Sequence, residues 1–108
     1  SATTGAGNTV YTGTGEVSGT NYSAGGVAVT HATAATSTGT TAFWTPSASI
    51  VYTNVTLSTA FDCVMLYDVS RSNATISTHT FGSQTVTAGT FTLTMPTNDA
   101  TTGLVRIA

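Results

Sequence analysis

The stretch AFDCVMLYDV at 60–69 decides the fold of this chain. In an extended strand, alternate side chains point to the same face. One face of this stretch then carries Phe61, Cys63, Met65, Tyr67 and Val69. Val64 and Leu66 on the opposite face are also apolar, so the middle of the strand is covered on both sides. The stretch therefore predicts the core strand of an all-β protein.

Further β-prone segments lie on both sides of this core strand. They are VAVTH (27–31), TAFWT (41–45), ASIVYTNVTL (48–57), TISTHTF (75–81), GTFTLTM (89–95) and LVRIA (104–108). The segments between them read as a loop at 32–40 and as turns at 70–73 and 82–84. No window shows an apolar stripe at helical spacing. Six or seven short strands predict a compact antiparallel β-sandwich or barrel.

The segment at 89–95 alternates most regularly, with Thr92 and Thr94 on the outer face. It and 60–69 are the best-patterned strands, and we expect them to pair or to face one another. The predicted core is Phe61, Met65, Tyr67, Phe91 and Leu93.

The first 26 residues differ in composition from the rest of the chain. They are rich in glycine and threonine and show little periodicity. We predict an extended N-terminal arm at 1–26, followed by a single β domain at 27–108. Because the arm has few apolar anchors, we expect it to become ordered only in an assembly.

Charged residues are scarce throughout. The chain has no lysine, and its charged residues are Glu16, Asp62, Asp68, Asp99, Arg71 and Arg106, 6% of the total. In their place are 27 threonines and 11 serines among 108 residues. Most soluble domains carry about a quarter charged residues, which keep the molecules apart. The composition therefore favours a rigid β protein built for assembly.

The charge pattern also excludes two classes of partner. Nucleic-acid binding needs clustered cations, whereas this chain has two arginines and a net charge of −2. No apolar run is long enough to span a membrane. No basic segment followed by an apolar run opens the chain, so we read no signal peptide. We expect protein partners, with neither nucleic acid nor membrane.

Residues that could carry chemistry are few and dispersed. His31, His79 and the single Cys63 show no CxxC or HExxH spacing. Asp62 and Asp68 lie on one face of the core strand but about 20 Å apart, too far for paired carboxylate catalysis. We read these two as solvent-facing residues or as caps at the strand ends. The sequence predicts no catalytic, cofactor-binding or metal-ligating residues, no cofactor, and no enzyme.

Two longer phrases carry a resemblance. The first, GEVSGTNYSAGG (15–26), supplies Gly15, Glu16, Val17, Gly19, Tyr22, Gly25 and Gly26. The last, TVTAGTFTLTMPTNDATTGLVRIA (85–108), supplies Val86, Thr87, Ala88, Gly89, Phe91, Leu93, Pro96, Asn98, Asp99, Ala100, Arg106 and Ile107. Together with AFDCVMLYD (60–68), they resemble a family of small structural proteins in the virions of tailed bacteriophages. That family usually has one more apolar strand before the arm, and this chain starts after it.

The resemblance implies a virion component, which we expect on the exterior of the head as a capsid cement or decoration protein. Its expected partners are the major capsid protein and further copies of itself, giving a homo-oligomer. The candidate assembly contacts are Val10, Tyr11, Val17, Tyr22 and Trp44.

Two other functions remain open on the sequence. A tail or fibre component of the virion would also be rich in β structure. A carbohydrate-binding module would be a β-sandwich that presents aromatic side chains such as Trp44, Tyr52 and Tyr67. Assembly is favoured over carbohydrate binding because Trp44 is an isolated aromatic residue close to a proline.

Overall fold

The protein is described by a computed structural model covering residues 7–31 and 33–108. Its strands are β1 (Gly19–Thr20), β2 (Thr36–Thr38), β3 (Thr41–Trp44), β4 (Ile50–Leu57), β5 (Phe61–Asp68), β6 (Ala74–Gln84), β7 (Gly89–Leu93) and β8 (Val105–Ile107). One turn of 3-10 helix, Val69–Arg71, follows β5. The predicted all-β fold is confirmed, with eight strands in the described residues against the six or seven expected.

The strands form three small sheets with the orders β1-β4-β7, β2-β3-β8 and β5-β6. By contacts the described chain divides into two units. The first holds the residues up to Gly26 together with Thr53–Gly89, and the second holds Val27–Tyr52 together with Thr90–Ala108. These boundaries differ from those of the predicted arm and β domain, because the arm groups with 53–89. Residues 1–6 of the predicted arm lie outside the described residues.

The antiparallel ladder of β5 and β6 is the longest in the first unit, and it is irregular. Leu66 is paired with Ser77, and the next residue, Tyr67, is paired with Thr75. Ile76 is therefore an extra residue in β6, a β-bulge that bends the strand and interrupts the alternation of faces. A second irregularity lies between Phe61 and Cys63. The extra residues at both irregularities belong to β6, so the alternation of faces is interrupted in that strand.

The end of β5 departs from the predicted face. Val69 is 72% exposed, because the chain leaves the strand at Asp68 and enters the 3-10 turn. The Asp68 carboxylate caps this turn, accepting hydrogen bonds from the Ser70 backbone N–H at 2.9 Å and the Ser70 hydroxyl at 2.6 Å. These bonds hold the pKa of Asp68 below its ordinary value. Capping is one of the two roles predicted for this residue.

The pairing of β1 with β4 ties the arm to the first unit. Gly19 lies opposite Leu57, and Thr20 lies opposite Thr56. A Cβ atom on Gly19 would lie 1.8 Å from the backbone oxygen of Thr56, a distance that no side chain can occupy. The two backbones approach this closely only because the residue is glycine.

In the second unit, β3 is the central strand of its sheet. It pairs with β2 on one side and with β8 on the other. Thr45, directly after β3, is 2% exposed, and its hydroxyl accepts a hydrogen bond from the Leu104 N–H at 2.9 Å. This bond satisfies a buried polar group and fixes the start of the last strand. Pro46 follows, and β3 ends before it, as predicted.

The closing phrase of the sequence folds as a strand followed by a capped turn. In β7, Phe91 and Leu93 are half-buried while Thr92 is exposed, so the predicted alternation is confirmed. The Phe91 ring lies 6.2 Å from the ring of Tyr52, centroid to centroid. After β7 the Asp99 carboxylate accepts the N–H groups of Thr101 and Thr102, each at 2.7 Å. The Thr101 hydroxyl also donates to this carboxylate at 2.7 Å, and this bond, together with the two backbone bonds, holds the pKa of Asp99 well below its ordinary value.

Full burial falls on different residues from those predicted. The buried apolar side chains are Phe43, Ile50, Val55, Phe61 and Leu66. Of the predicted core, Phe61 is among them, but Met65, Tyr67, Phe91 and Leu93 are only half-buried. Because the sheets have only two or three strands, neighbouring strands cover these side chains incompletely. Regular alternation of apolar residues along a strand therefore does not ensure full burial.

Three boundary predictions are wrong. No strand forms at 27–31, where the Thr30 carbonyl instead accepts the Ser47 N–H at 2.9 Å. The predicted loop at 32–40 contains β2. The predicted turn at 82–84 is the end of β6, because Gln84 pairs with Phe61. Nor do β5 and β7 pair: β5 is bonded to β6, and β7 to β4. Threonine-rich segments carry too little apolar contrast to mark such boundaries.

Substituting Gly19 by alanine tests the close approach of β1 to β4. The added methyl group collides with the Thr56 backbone, so we expect Gly19→Ala to lower the free energy of unfolding by about 1–3 kcal/mol. Gly82→Ala is the control, because a Cβ atom there has no neighbour within 4 Å. It should change stability by less than about 0.5 kcal/mol. Equal stabilities in denaturant unfolding would show that β1 does not approach β4 in this way.

Candidate assembly surface

The arm is fixed at its beginning to the outer edge of β6. The Tyr11 N–H donates to the Asn73 carbonyl at 2.9 Å, and the Thr75 N–H donates to the Thr9 carbonyl at 3.0 Å. Between these bonds Val10 forms an antiparallel bridge with Ala74. The described part of the arm thus has a binding site within its own chain. The composition did not predict these intramolecular contacts, and the ordering of the arm only in an assembly stays a prediction.

A single carboxylate holds the middle of the arm. Glu16 accepts the Tyr11 hydroxyl on Oε2 at 2.6 Å. Its Oε1 accepts the Tyr22 hydroxyl at 2.7 Å and the Gly25 N–H at 2.7 Å. Hydrogen bonds to an ionised acceptor are short and stronger than neutral ones. Three points of the arm, at 11, 22 and 25, are therefore brought to one half-buried side chain.

The same group of residues is joined to β5 through Tyr67. The Tyr67 ring stacks on the Tyr11 ring, with centroids 4.4 Å apart and an interplanar angle of 11°. The Tyr67 hydroxyl donates to the Gly25 carbonyl at 2.7 Å. Gly25 has φ +90, a backbone conformation that glycine adopts without strain. We call Tyr11, Glu16, Tyr22, Gly25 and Tyr67 the Glu16 cluster.

The charge of Glu16 changes the acidity of its neighbour. The pKa of Tyr11 is raised from 10.0 to about 12. The largest cause is the hydrogen bond to Glu16, followed by desolvation and by the negative charge of the carboxylate. Ionising Tyr11 would break its donation to Glu16 and place two anions side by side.

Sequence analysis did not predict that Glu16 would hold several parts of the arm together. It named Glu16 only as one residue of the segment at 15–26 that carries the family resemblance. A signal was nevertheless present. Glu16 is the sole acidic residue before position 62, and tyrosines stand five residues before it and six after it. An isolated carboxylate among tyrosines in an otherwise uncharged segment indicates a hydrogen-bonded cluster rather than a solvated charge.

The predicted assembly contacts are divided between the two units. Tyr11 and Tyr22 donate their hydroxyls to Glu16, and Val17 is half-buried. Val10 keeps 42% of its surface exposed. Trp44 lies in the second unit and is half-buried.

The indole N–H of Trp44 donates to the Thr33 carbonyl at 3.1 Å. Of the five predicted contacts, Val10 is therefore the most available to another molecule. The other exposed large apolar side chains are Val69 and Ile76 in the first unit and Val27, Val51 and Ile107 in the second.

The described residues offer little chemistry. His31 is exposed, and His79 shares a 2.9 Å hydrogen bond with the Ser77 hydroxyl two residues away. Cys63 is half-buried and forms no disulfide. Within 7–31 and 33–108, no three His, Cys, Asp or Glu side chains come together in a group able to hold a metal ion. The same residues contain no helix long and apolar enough to cross a membrane.

Comparison with protein-family models, with curated proteins and with solved structures finds no match to this chain. The resemblance to virion structural proteins therefore remains a prediction based on the two phrases and the core strand.

Replacing Glu16 by glutamine tests the cluster. The amide keeps one oxygen acceptor but loses the charge and turns an NH2 group toward a hydroxyl donor. We expect Glu16→Gln to lower the free energy of unfolding by about 1.5–3 kcal/mol, the range for hydrogen bonds to charged groups. Asp68→Asn is the control, because asparagine also caps well, so this variant should lose less stability than Glu16→Gln. Denaturant unfolding giving the same loss for both variants would exclude a special role for Glu16.

The Tyr11 hydroxyl gives the protein a distinct response to alkali. The folded chain keeps the Tyr11 proton up to a pKa of about 12, whereas the unfolded chain loses it near 10.0. Between these values the unfolded state binds fewer protons, so the free energy of unfolding falls as the pH rises. Tyrosinate absorbance should show a component that ionises late. Tyr11→Phe should diminish this late step, whereas Tyr52→Phe should keep it; a late step unchanged by Tyr11→Phe would refute the assignment.

Proposed function

We propose that this chain is a non-enzymatic virion structural protein: a cement or decoration protein on the exterior of a tailed-bacteriophage head. In this role it binds the outer lattice of the major capsid protein, contacts neighbouring copies of itself, and stabilises the shell. The proposal rests on the resemblance of its two phrases, on the nature of its surface and on the way its arm is held.

The observation that carries the proposal is where the resembling residues lie in the fold. Glu16, Tyr22 and Gly25 of the first phrase build the Glu16 cluster, and Gly19 permits the pairing of β1 with β4. In the closing phrase, Asp99 caps the turn that follows β7. The residues that carry the family resemblance are therefore residues with a structural role in this fold. They do not lie in threonine-rich segments, where two unrelated sequences can look alike through composition alone.

The surface suits association without ion pairs. Three of the six charged residues, Glu16, Asp68 and Asp99, accept hydrogen bonds within their own chain. Charged residues make up only 6% of the chain, so the surface is rich in threonine and serine and carries isolated apolar side chains. Such a surface binds through hydrogen bonds and apolar contacts, which salt screens little. Many weak contacts repeated over a lattice give strong binding in total.

Binding to heads tests the proposal. Purified protein is added to heads of the virus that carries this chain, after its own copies have been stripped, and bound protein is measured by co-sedimentation. We expect saturable binding whose Kd changes by less than about threefold between low and moderate salt. A cryo-EM map of the complex should show added density on the head exterior.

Matched variants connect the binding to the arm. Val10→Asp places a charge on the available apolar contact and should weaken head binding, whereas Thr12→Asp, at another exposed position of the arm, should not. Density on the tail would favour a tail or fibre component. Binding to glycans that Trp44→Ala abolishes, without binding to heads, would favour a carbohydrate-binding module. A steep loss of head binding with salt would contradict the proposed apolar contact.

A further inference from the structure

Two tyrosine rings of the Glu16 cluster are held face to face. The centroids of Tyr11 and Tyr67 are 4.4 Å apart, and the planes of the two rings differ by 11°. Rings this close and this parallel touch over their faces, so carbon atoms of one ring lie near carbon atoms of the other. Both side chains are half-buried, which leaves them within reach of a small oxidant. The pair is therefore placed for a reaction between the two rings.

The two hydroxyls have different acceptors, and only one acceptor is a carboxylate. The Tyr11 hydroxyl donates to Glu16 at 2.6 Å, and the Tyr67 hydroxyl donates to the Gly25 carbonyl at 2.7 Å. The Gly25 N–H in turn donates to Glu16 at 2.7 Å. Both hydroxyls are thus held by residues that are bonded to each other, which limits sliding of one ring over the other.

The carboxylate makes Tyr11 the ring that is oxidised more readily. A phenol that loses an electron becomes a strong acid and must release its hydroxyl proton. The short hydrogen bond lets this proton move to Glu16 Oε2 as the electron leaves, without a separate step through water. Tyr11 thus becomes a neutral phenoxyl radical beside a protonated Glu16, with its ring still stacked on that of Tyr67.

We propose that Tyr11 and Tyr67 are a site of oxidative cross-linking, at which a one-electron oxidant joins the two rings as dityrosine. Two equivalents of the oxidant remove one electron from each ring. The Tyr11 proton passes through Glu16 to water, and the Tyr67 proton passes to water directly. The two radicals then form one bond between ring carbons adjacent to the oxygen-bearing carbons. Each of these carbons gives up its hydrogen to its own ring oxygen, which restores both phenols. In total, two electrons and two protons leave and one carbon–carbon bond forms.

The cross-link fixes the arm to β5 by a covalent bond. Residues 11 and 67 are distant in the sequence, and closing a long loop removes conformational freedom from the unfolded chain. The oxidised protein therefore unfolds at a higher denaturant concentration than the unmodified protein. The inference goes beyond the proposed function and does not rest on it, because the reaction needs a single chain and no partner protein.

Photo-oxidation of the dilute protein tests the inference. The probe is tris(bipyridine)ruthenium(II) with persulfate, which generates a one-electron oxidant under visible light. We expect dityrosine fluorescence in the monomer, a mass lower by two hydrogen atoms, and a linked pair of peptic peptides that contain Tyr11 and Tyr67. The yield should not depend on protein concentration, because both rings belong to one chain. The absence of intramolecular dityrosine, or its mapping to another pair of tyrosines, would overturn the inference.

Matched phenylalanine variants identify the rings that react. Tyr11→Phe keeps the ring but removes the hydroxyl, so intramolecular dityrosine should be lost. Tyr52→Phe changes a half-buried tyrosine of the second unit and should leave the yield unchanged. The native protein unfolded in urea is a control that needs no variant, because the stack is then absent. The same linkage at the same yield in urea, or intramolecular dityrosine that persists in Tyr11→Phe, would contradict the assignment.

The dependence of the initial rate on buffer tests the part played by Glu16. With the carboxylate as proton acceptor, the rate in the native protein should not rise with the concentration of buffer base. In Glu16→Gln the amide cannot take the proton, so the rate should be lower and should rise with buffer base. A merely structural role for Glu16 would change the rate but not this dependence. An equal dependence on buffer base in both proteins would overturn the assignment of Glu16 as acceptor.

Discussion

The first unit depends on the carboxylate of Glu16. A segment rich in glycine and threonine has little apolar surface to bury and loses much conformational entropy when it is fixed. Three hydrogen bonds to one anion offset this cost, because they connect Tyr11, Tyr22 and Gly25 at a single point. The stack of Tyr11 on Tyr67 then attaches that point to β5. Without the anion, two hydroxyls and a backbone N–H would lose their shared acceptor.

The same constraint explains how a protein with so little charge is organised. Its few acidic residues serve local structure: Glu16 orders the arm, Asp68 caps the 3-10 turn and Asp99 caps the turn after β7. The surface left over is polar but nearly uncharged. That surface supports the proposed role in a virion, in which the protein meets neighbouring proteins on most sides and is not required to repel them.

The sequence predicts those parts of the fold that depend on local pattern. The alternation in β7, the end of β3 before Pro46 and the turn at 70–73 follow from side-chain period and turn chemistry. It does not predict the bulge at Ile76, which shifts the register of two strands that are individually regular. Nor does it predict the Glu16 cluster, since the hydrogen bond from Tyr67 to Gly25 joins positions 42 residues apart. Such contacts depend on how distant segments are placed in the tertiary structure, and neither composition nor side-chain periodicity predicts that placement.

Hydrogen exchange of the Gly25 amide tests most directly whether Glu16 holds the arm within a single chain, because this N–H donates to the Glu16 carboxylate. If the carboxylate holds the arm within a single chain, the amide exchanges much more slowly than in an unstructured peptide of the same sequence. This protection should persist at low protein concentration and be lost in Glu16→Gln. Exchange at the rate of the unstructured peptide in the dilute native protein would contradict the account, because the arm would then have no site of its own in the free chain.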